Sequence, residues 1–229
     1  FCKIGKRWDV IPKIVGVDLE KREANLEKLL IPSTCPVCQS SVVKSENEVA
    51  LYCVNPICTA QIKGRLIHFA SRGAMDIEGL GESIINLFVD KGYLKTVTDI
   101  YKLSNYKDEL KSLEGFGDKR IDNILSAIEK SKEQPFHKVL FAIGIRYVGE
   151  GVARKLTNAF KTIENMVVGS REVFEEVEEI GPSISNSLVE FFKVNENLNL
   201  INELKNFGLN FEEKFNNSTN SFNGLSIVV

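Results

Sequence analysis

Four copies of one short frame, apolar-x-x-apolar-Gly, govern what this chain can fold into. They are Ile77-Glu78-Gly79-Leu80-Gly81, Leu113-Glu114-Gly115-Phe116-Gly117, Ile145-Arg146-Tyr147-Val148-Gly149 and Val177-Glu178-Glu179-Ile180-Gly181, and their last glycines lie 36, 32 and 32 residues apart. A period of that size is one supersecondary unit repeated along the chain. Behind each frame apolar residues return at helical spacing: Ile84, Ile85, Leu87 and Phe88, then Ile121, Ile124, Leu125 and Ile128, then Val152, Leu156 and Phe160, then Ile184, Leu188, Phe191 and Phe192. A shorter apolar-periodic stretch precedes each frame. The predicted unit is helix, tight hairpin, helix, and the predicted class is mainly α.

Glycine is expected in such turns because it supplies positive φ and close backbone approach without steric cost. The first N–H groups of the following helix stand beside the turn, at the positive end of the helix dipole, where a phosphate can sit. The plain alternative is a set of capping glycines in an α-helical array. Four in register, with Lys119-Arg120 and Arg154-Lys155 behind two of them, favour phosphate. A hairpin of this kind holds nucleic-acid backbone without reading sequence. The fourth copy departs from the others: Glu175, Glu176, Glu178 and Glu179 surround it, and Pro182 at the first helical position removes an N–H donor. It is read as mainly structural.

Ahead of the repeats stand Cys35, Cys38, Cys53 and Cys58, in the spacing C-x2-C-x14-C-x4-C. Two tight turns each present a pair of thiolates, and Val42-Val43 and Val49-Ala50-Leu51-Tyr52 are able to form a hairpin that brings the pairs together around tetrahedral zinc. A disulfide pair or buried thiols is the competing reading. The sequence shows no secretory feature, which points to a reducing compartment and away from disulfides. With sulfur at all four positions no coordination site is left for water, so the expected zinc is structural. Cys2 is left over and receives no role.

Composition is ordinary for a globular chain, with 43% hydrophobic and 26% charged residues in 229, and this excludes disorder and collagen-like repeats. No apolar run reaches the ~20 residues that cross a bilayer, so no membrane partner is expected. The first residues, Phe1 to Trp8, read as neither a signal peptide nor a native start, and the chain is expected to be a fragment. Net charge of −2 argues against a nucleic-acid binder only when taken whole. Residues 1–62 carry +1 and 63–160 carry +3, whereas 161–213 carry −7 and 214–229 carry +1. A mildly basic front is joined to a strongly acidic back.

The zinc quartet runs into Ala60-Gln61, and then Leu66-Ile67-His68-Phe69-Ala70-Ser71-Arg72-Gly73-Ala74-Met75-Asp76 leads into the first frame. This stretch closely resembles the C-terminal half of bacterial-type NAD-dependent DNA ligases. Asp9-Val10-Ile11-Pro12-Lys13-Ile14-Val15 is similar to the end of that family's OB domain, and Phe141 to Glu150 to its third helix-hairpin-helix. Ser221 to Val229 resembles the first strand of its BRCT domain, behind a polar linker at 216–221. The resemblance implies the C-terminal part of an OB domain at 1–32, a four-cysteine zinc finger at 33–62, a helix-hairpin-helix domain at 63–213 with hairpins near 77–82, 113–118, 145–150 and 177–182, and a linker with the first strand of a truncated BRCT domain at 214–229.

For the parent protein the resemblance implies an NAD-dependent ligase that uses Mg2+ and seals 5′-phosphate/3′-hydroxyl nicks in replication and repair. A lysine takes AMP from NAD, AMP passes to the 5′-phosphate, and the 3′-hydroxyl displaces it. That lysine lies in a K-x-D-G motif, and no Asp-Gly dipeptide occurs here. The expected role of this chain is therefore grip on nicked duplex DNA, as a monomer, in the nucleoid-associated cytoplasm, with no catalytic residue of its own. Candidate contacts are Gly79, Gly81, Gly115, Gly117, Gly149 and Gly151 through backbone N–H groups, and Lys119, Arg120, Arg146 and Arg154 through charge. Arg7 and Lys13, with Lys6, are candidates on the OB segment. His68 and His137 sit among apolar neighbours without a paired nucleophile and are read as structural. Trp8 and Phe116 are read as core, with a minor-groove wedge as the alternative for Phe116. The rival function is a non-catalytic zinc and hairpin DNA-binding or scaffold module of a repair protein.

Overall fold

The computed structural model describes residues 2–7 (6 and 7 by backbone alone), 11–21, 26, 30–44 and 49–213. Trp8, the Arg7 side chain and the 214–229 segment expected to hold the BRCT strand lie outside the described residues. Two compact units divide the chain, Phe1–Val54 and Asn55–Val229. In the first, strands β1 (Cys2–Arg7) and β2 (Ile11–Val17) pair antiparallel, from Cys2 opposite Val17 to Arg7 opposite Ile11, with a register shift between Lys3 and Ile4. Lys13 is exposed on β2. Strands β3 (Val42–Lys44) and β4 (Leu51–Cys53) form the expected second hairpin, with Val43 opposite Tyr52.

The second unit is helical. It runs α1 (Thr59–Ala70), α2 (Glu82–Asp90), a 3-10 helix (Val97–Tyr106), α3 (Lys107–Lys111), α4 (Asp118–Ser131), α5 (Phe136–Ile143), α6 (Glu150–Phe160), α7 (Ile163–Val167), α8 (Arg171–Glu175), α9 (Pro182–Lys193) and α10 (Asn195–Asn206). Helix α1 starts directly after Cys58, so the 62/63 boundary drawn from sequence falls inside it. The four frames lie between α1 and α2, α3 and α4, α5 and α6, and α8 and α9. The predicted stripe is largely buried on α2 (Ile84, Ile85, Phe88) and α4 (Ile121, Ile124, Ile128), whereas on α6 only Leu156 and on α9 only Leu188 and Phe192 are buried, with Val152, Phe160, Ile184 and Phe191 partly buried against the core. One core cluster runs from Leu66 to Phe211, and Phe69, Phe88 and Phe174 are fully shielded in it. Each such side chain contributes about 1.5–3 kcal/mol of transfer free energy.

Residues 209–213 tie the repeats together. The Asn210 amide donates to the carbonyls of Lys132 (3.1 Å) and Gln134 (2.8 Å), behind the second hairpin unit. The Ile163 N–H donates to Phe211 and the Glu213 N–H to Lys161, behind the third. Leu209 and Phe211 are buried.

Within each hairpin the structure corrects where the unusual backbone lies. The frame's final glycines, at φ/ψ of −80/177° (Gly81), −86/168° (Gly117), −79/175° (Gly149) and −93/179° (Gly181), are in extended backbone that any residue adopts. Positive φ falls two residues earlier, at Gly79 (84°), Gly115 (79°), Tyr147 (64°) and Glu179 (67°). There it closes a four-residue turn, with N–H groups of Leu80, Phe116, Val148 and Ile180 donating to the carbonyls of Ile77, Leu113, Ile145 and Val177. A side chain is tolerated in two of the four at a cost of about 1–2 kcal/mol.

Candidate metal centre and nucleic-acid interface

Cys35 opens the first turn, where its N–H donates to Ser40 and its carbonyl accepts from Gln39, itself in left-handed backbone at φ 60°. Asn55 shapes the second, its side-chain oxygen accepting from Ile57 and its carbonyl from Cys58. The Arg65 guanidinium, in the second turn of α1, holds the Pro56 carbonyl at 2.6 Å. Through these turns and the β3–β4 hairpin, the Sγ atoms of Cys35, Cys38, Cys53 and Cys58 come within 4.8 Å of one another, with Cys38 and Cys53 at 3.5 Å. None is in a disulfide. Four sulfurs each ~2.3 Å from a tetrahedral zinc are about 3.8 Å apart, so this donor set fits the ion. Cys35 and Cys58 are buried and the other two half-buried, and four sulfurs complete a tetrahedral set with no open position.

At the hairpins the geometry is the same four times. The first N–H groups of α2, α4, α6 and α9 have no intrahelical acceptor. The residue in front of them is glycine every time. A Cβ built on Gly81, Gly117, Gly149, Gly151 or Gly181 would meet nothing within 4 Å. Neither backbone conformation nor internal packing therefore asks for glycine there, and Ser, Thr, Asn or Asp would be better helix caps or as good. Those side chains would, however, occupy the N–H groups and the space before them. What the glycines keep open is access from outside.

The candidate cations differ in how they are held. Lys119 is exposed and has no ion pair among the described residues. Arg120 folds back on its own hairpin, donating to the Gly115 carbonyl at 3.0 Å and stacking 4.5 Å over the Phe116 ring. Arg146 lies 5.1 Å over Tyr147, and Arg154 pairs with Glu150 at 3.3 Å. Phe116, 7% exposed and packed 5.6 Å from Phe88, is a core residue, which removes the wedge alternative. His68 Nε2 bonds the Phe141 carbonyl at 2.8 Å and ties α1 to α5, while burial, with Arg154 nearby, pushes the His137 pKa down.

The fourth hairpin is less hostile to an anion than its charge count suggests. Glu175 accepts from Arg171 and from buried Ser185, both at 2.8 Å, and these bonds lower its pKa and clamp α8 onto α9. Glu179 pairs with Lys155 of α6 at 2.8 Å. The other three second helices begin with Glu82, Asp118 and Glu150, and only the fourth lacks a first-turn acid. Periodicity and charge counting miss these internal pairings, because the partners lie in other elements or depend on side-chain rotamers.

Comparison with known proteins decides what these parts are. Residues 34–60 match the NAD-dependent DNA ligase C4 zinc finger domain, residues 72–130 a SAM-like helix-hairpin-helix tandem, and residues 138–201 a helix-hairpin-helix motif. The chain carries the C4 zinc finger domain of NAD-dependent DNA ligases, followed by helix-hairpin-helix domains. It is 44% identical over 210 residues to the DNA ligase of Natranaerobius thermophilus, covering 92% of this chain and 31% of that protein. Against the DNA ligase of Christiangramia forsetii it is 42% identical over 230 residues, covering 99% and 34%, and against that of Bacillus cytotoxicus 41% over 214, covering 93% and 32%. The chain thus spans about a third of the length of the ligases it matches. Among the described residues, no helix is long and apolar enough to cross a membrane.

Proposed function

We propose that this chain is the duplex-gripping region of an NAD-dependent ligase that seals 5′-phosphate/3′-hydroxyl nicks, and that it carries no adenylation chemistry itself. The observation that carries this reading is the set of helix-capping glycines with open space in front of them. Backbone N–H groups near Gly79, Gly81, Gly115, Gly117, Gly149 and Gly151 take phosphates, and Lys119, Arg120, Arg146 and Arg154 add charge. Gly181 has the same backbone and open front but differs in its acidic surroundings and in the N–H donor that Pro182 removes. Cys35, Cys38, Cys53 and Cys58 hold one structural zinc, which fixes the turn leading into α1. Residues 1–32 are the end of an OB domain, which the exposed Ile4, Ile11, Ile14 and Val15 of the β1–β2 sheet support, being apolar surface of the kind a larger sheet covers. Lys13 and Arg7 are the candidate DNA contacts of that segment. The region works as a monomer in the cytoplasm, and NAD and Mg2+ serve the parent's adenylation chemistry.

Affinity measured against salt tests the grip. The chain binds duplexes of unrelated sequence alike, and log affinity falls linearly with log salt as condensed counterions are released. Replacing Lys119 and Arg120 by alanine lowers that slope by about one per lost phosphate contact. Strong preference for one sequence would contradict the reading. Incubation with labelled NAD leaves the chain unlabelled, because no activated lysine stands in a K-x-D-G setting, and covalent AMP on the chain would show that an adenylation site lies here.

A further inference from the structure

The geometry points to a phosphate track along α4, outside the hairpin tips, that holds one strand of the gripped duplex for about four further nucleotides. The inference rests on the duplex-gripping reading above. A groove of about 940 Å³ lies between α4 and the loop of the first hairpin. Its floor is one face of α4, in which Arg120, Asn123 and Lys130 recur at helical spacing, and its wall carries Arg72, Asp76 and Glu78. The two sides are fixed to each other. Gly79 sits so close to Ile124 that a Cβ would lie 3.1 Å from it, and the Gln134 amide reaches the Met75 carbonyl at 3.4 Å.

Three features select a nucleic-acid strand as the occupant. Arg72 and Lys130 have no ion pair among the described residues, and Arg120 is held in place by the Phe116 face and the Gly115 carbonyl with donors to spare. From Arg120 to Lys130 is ten residues of helix, about 15 Å, the rise of about four nucleotides at ~3.4 Å each. The volume is large for a small anion, which would share the space with the Asp76 and Glu78 carboxylates. Those two repel a backbone from their own part of the wall and leave it Arg72 and the cation-bearing floor. Continuity is the third feature: Gly79 and Arg120 line the groove and also belong to the first and second hairpins, so a strand leaving the tips enters it directly.

Duplexes of increasing length, bound by the wild-type chain and by an Arg72→Ala/Lys130→Ala variant whose folding is checked by circular dichroism, test the track. On the shortest duplexes that occupy the hairpins the two bind alike. On longer ones the wild type gains a steeper salt slope, and the variant falls short of it by about two. Lys130→Glu alone gives a loss in the same direction, again on the longer duplexes only. Equal binding by variant and wild type at every length, or an equal loss at every length, would overturn the track while leaving the hairpin grip standing. A wild-type chain that binds no duplex would overturn the grip and the track with it.

Discussion

Two glycines of one hairpin, Gly115 and Gly117, do different work although they stand two residues apart. At Gly115, φ is 79° and a Cβ would meet nothing within 4 Å, so alanine there meets conformational strain without a clash. Gly115→Ala is expected to lower stability by about 1–2 kcal/mol and to leave the cap residue Gly117 unchanged. Thermal melting checks this, and an unchanged midpoint would mean that the turn relaxes out of the left-handed region. Gly117, at φ −86°, has no such need, and its value lies in what can approach it. Sequence alone does not separate the two, since both are glycine in the first two frames and the spacing is equally regular for each. The third and fourth frames give the clue, because Tyr147 and Glu179 stand at the strained position while Gly149 and Gly181 keep the open one.

Among the elements, the zinc finger and the helices draw on different sources of stability. The finger's strands are three residues long, and its residues Val37, Val43, Val49 and Leu51 are exposed, so little apolar burial holds it. The helical core begins at Leu66 and contains no finger residue. Chelation of the metal is therefore expected to loosen the Cys35–Cys58 segment in amide exchange while the far-UV helical signal of α2 to α10 persists, since ligand assembly and local folding are coupled. Metal analysis is expected to give one zinc per chain. Well under one, with the cysteines reduced, would contradict the assignment. Cysteine spacing and the valine runs made this element legible in advance, down to its β3–β4 hairpin. The 3-10 helix Val97–Tyr106 was not, because its order comes from local bonds: Asp99 accepts from the N–H groups of Thr96 and Lys95, which, against the effect of burial, lower its pKa.

For the whole molecule, periodicity announced the four hairpin units, but it does not report the 209–213 strap. That segment holds the second and third units together through backbone carbonyls, which no side-chain pattern encodes. Charge counting likewise set the fourth unit apart more sharply than its Arg171–Glu175 and Lys155–Glu179 pairs warrant. What unites the repeats is a glycine with open space at its Cβ position before each second helix, which the proposed grip uses for phosphate. A triple variant, Gly81→Thr/Gly117→Thr/Gly149→Thr, puts that to the test. Threonine caps a helix about as well as glycine and finds free space at all three positions, yet its side chain takes up the N–H groups that a phosphate would use. The variant should melt within a few degrees of the wild type and bind duplex DNA at least about tenfold more weakly, a loss of ~1.4 kcal/mol or more. A folded variant that binds duplex DNA as tightly as the wild type would show that the open glycines serve no phosphate.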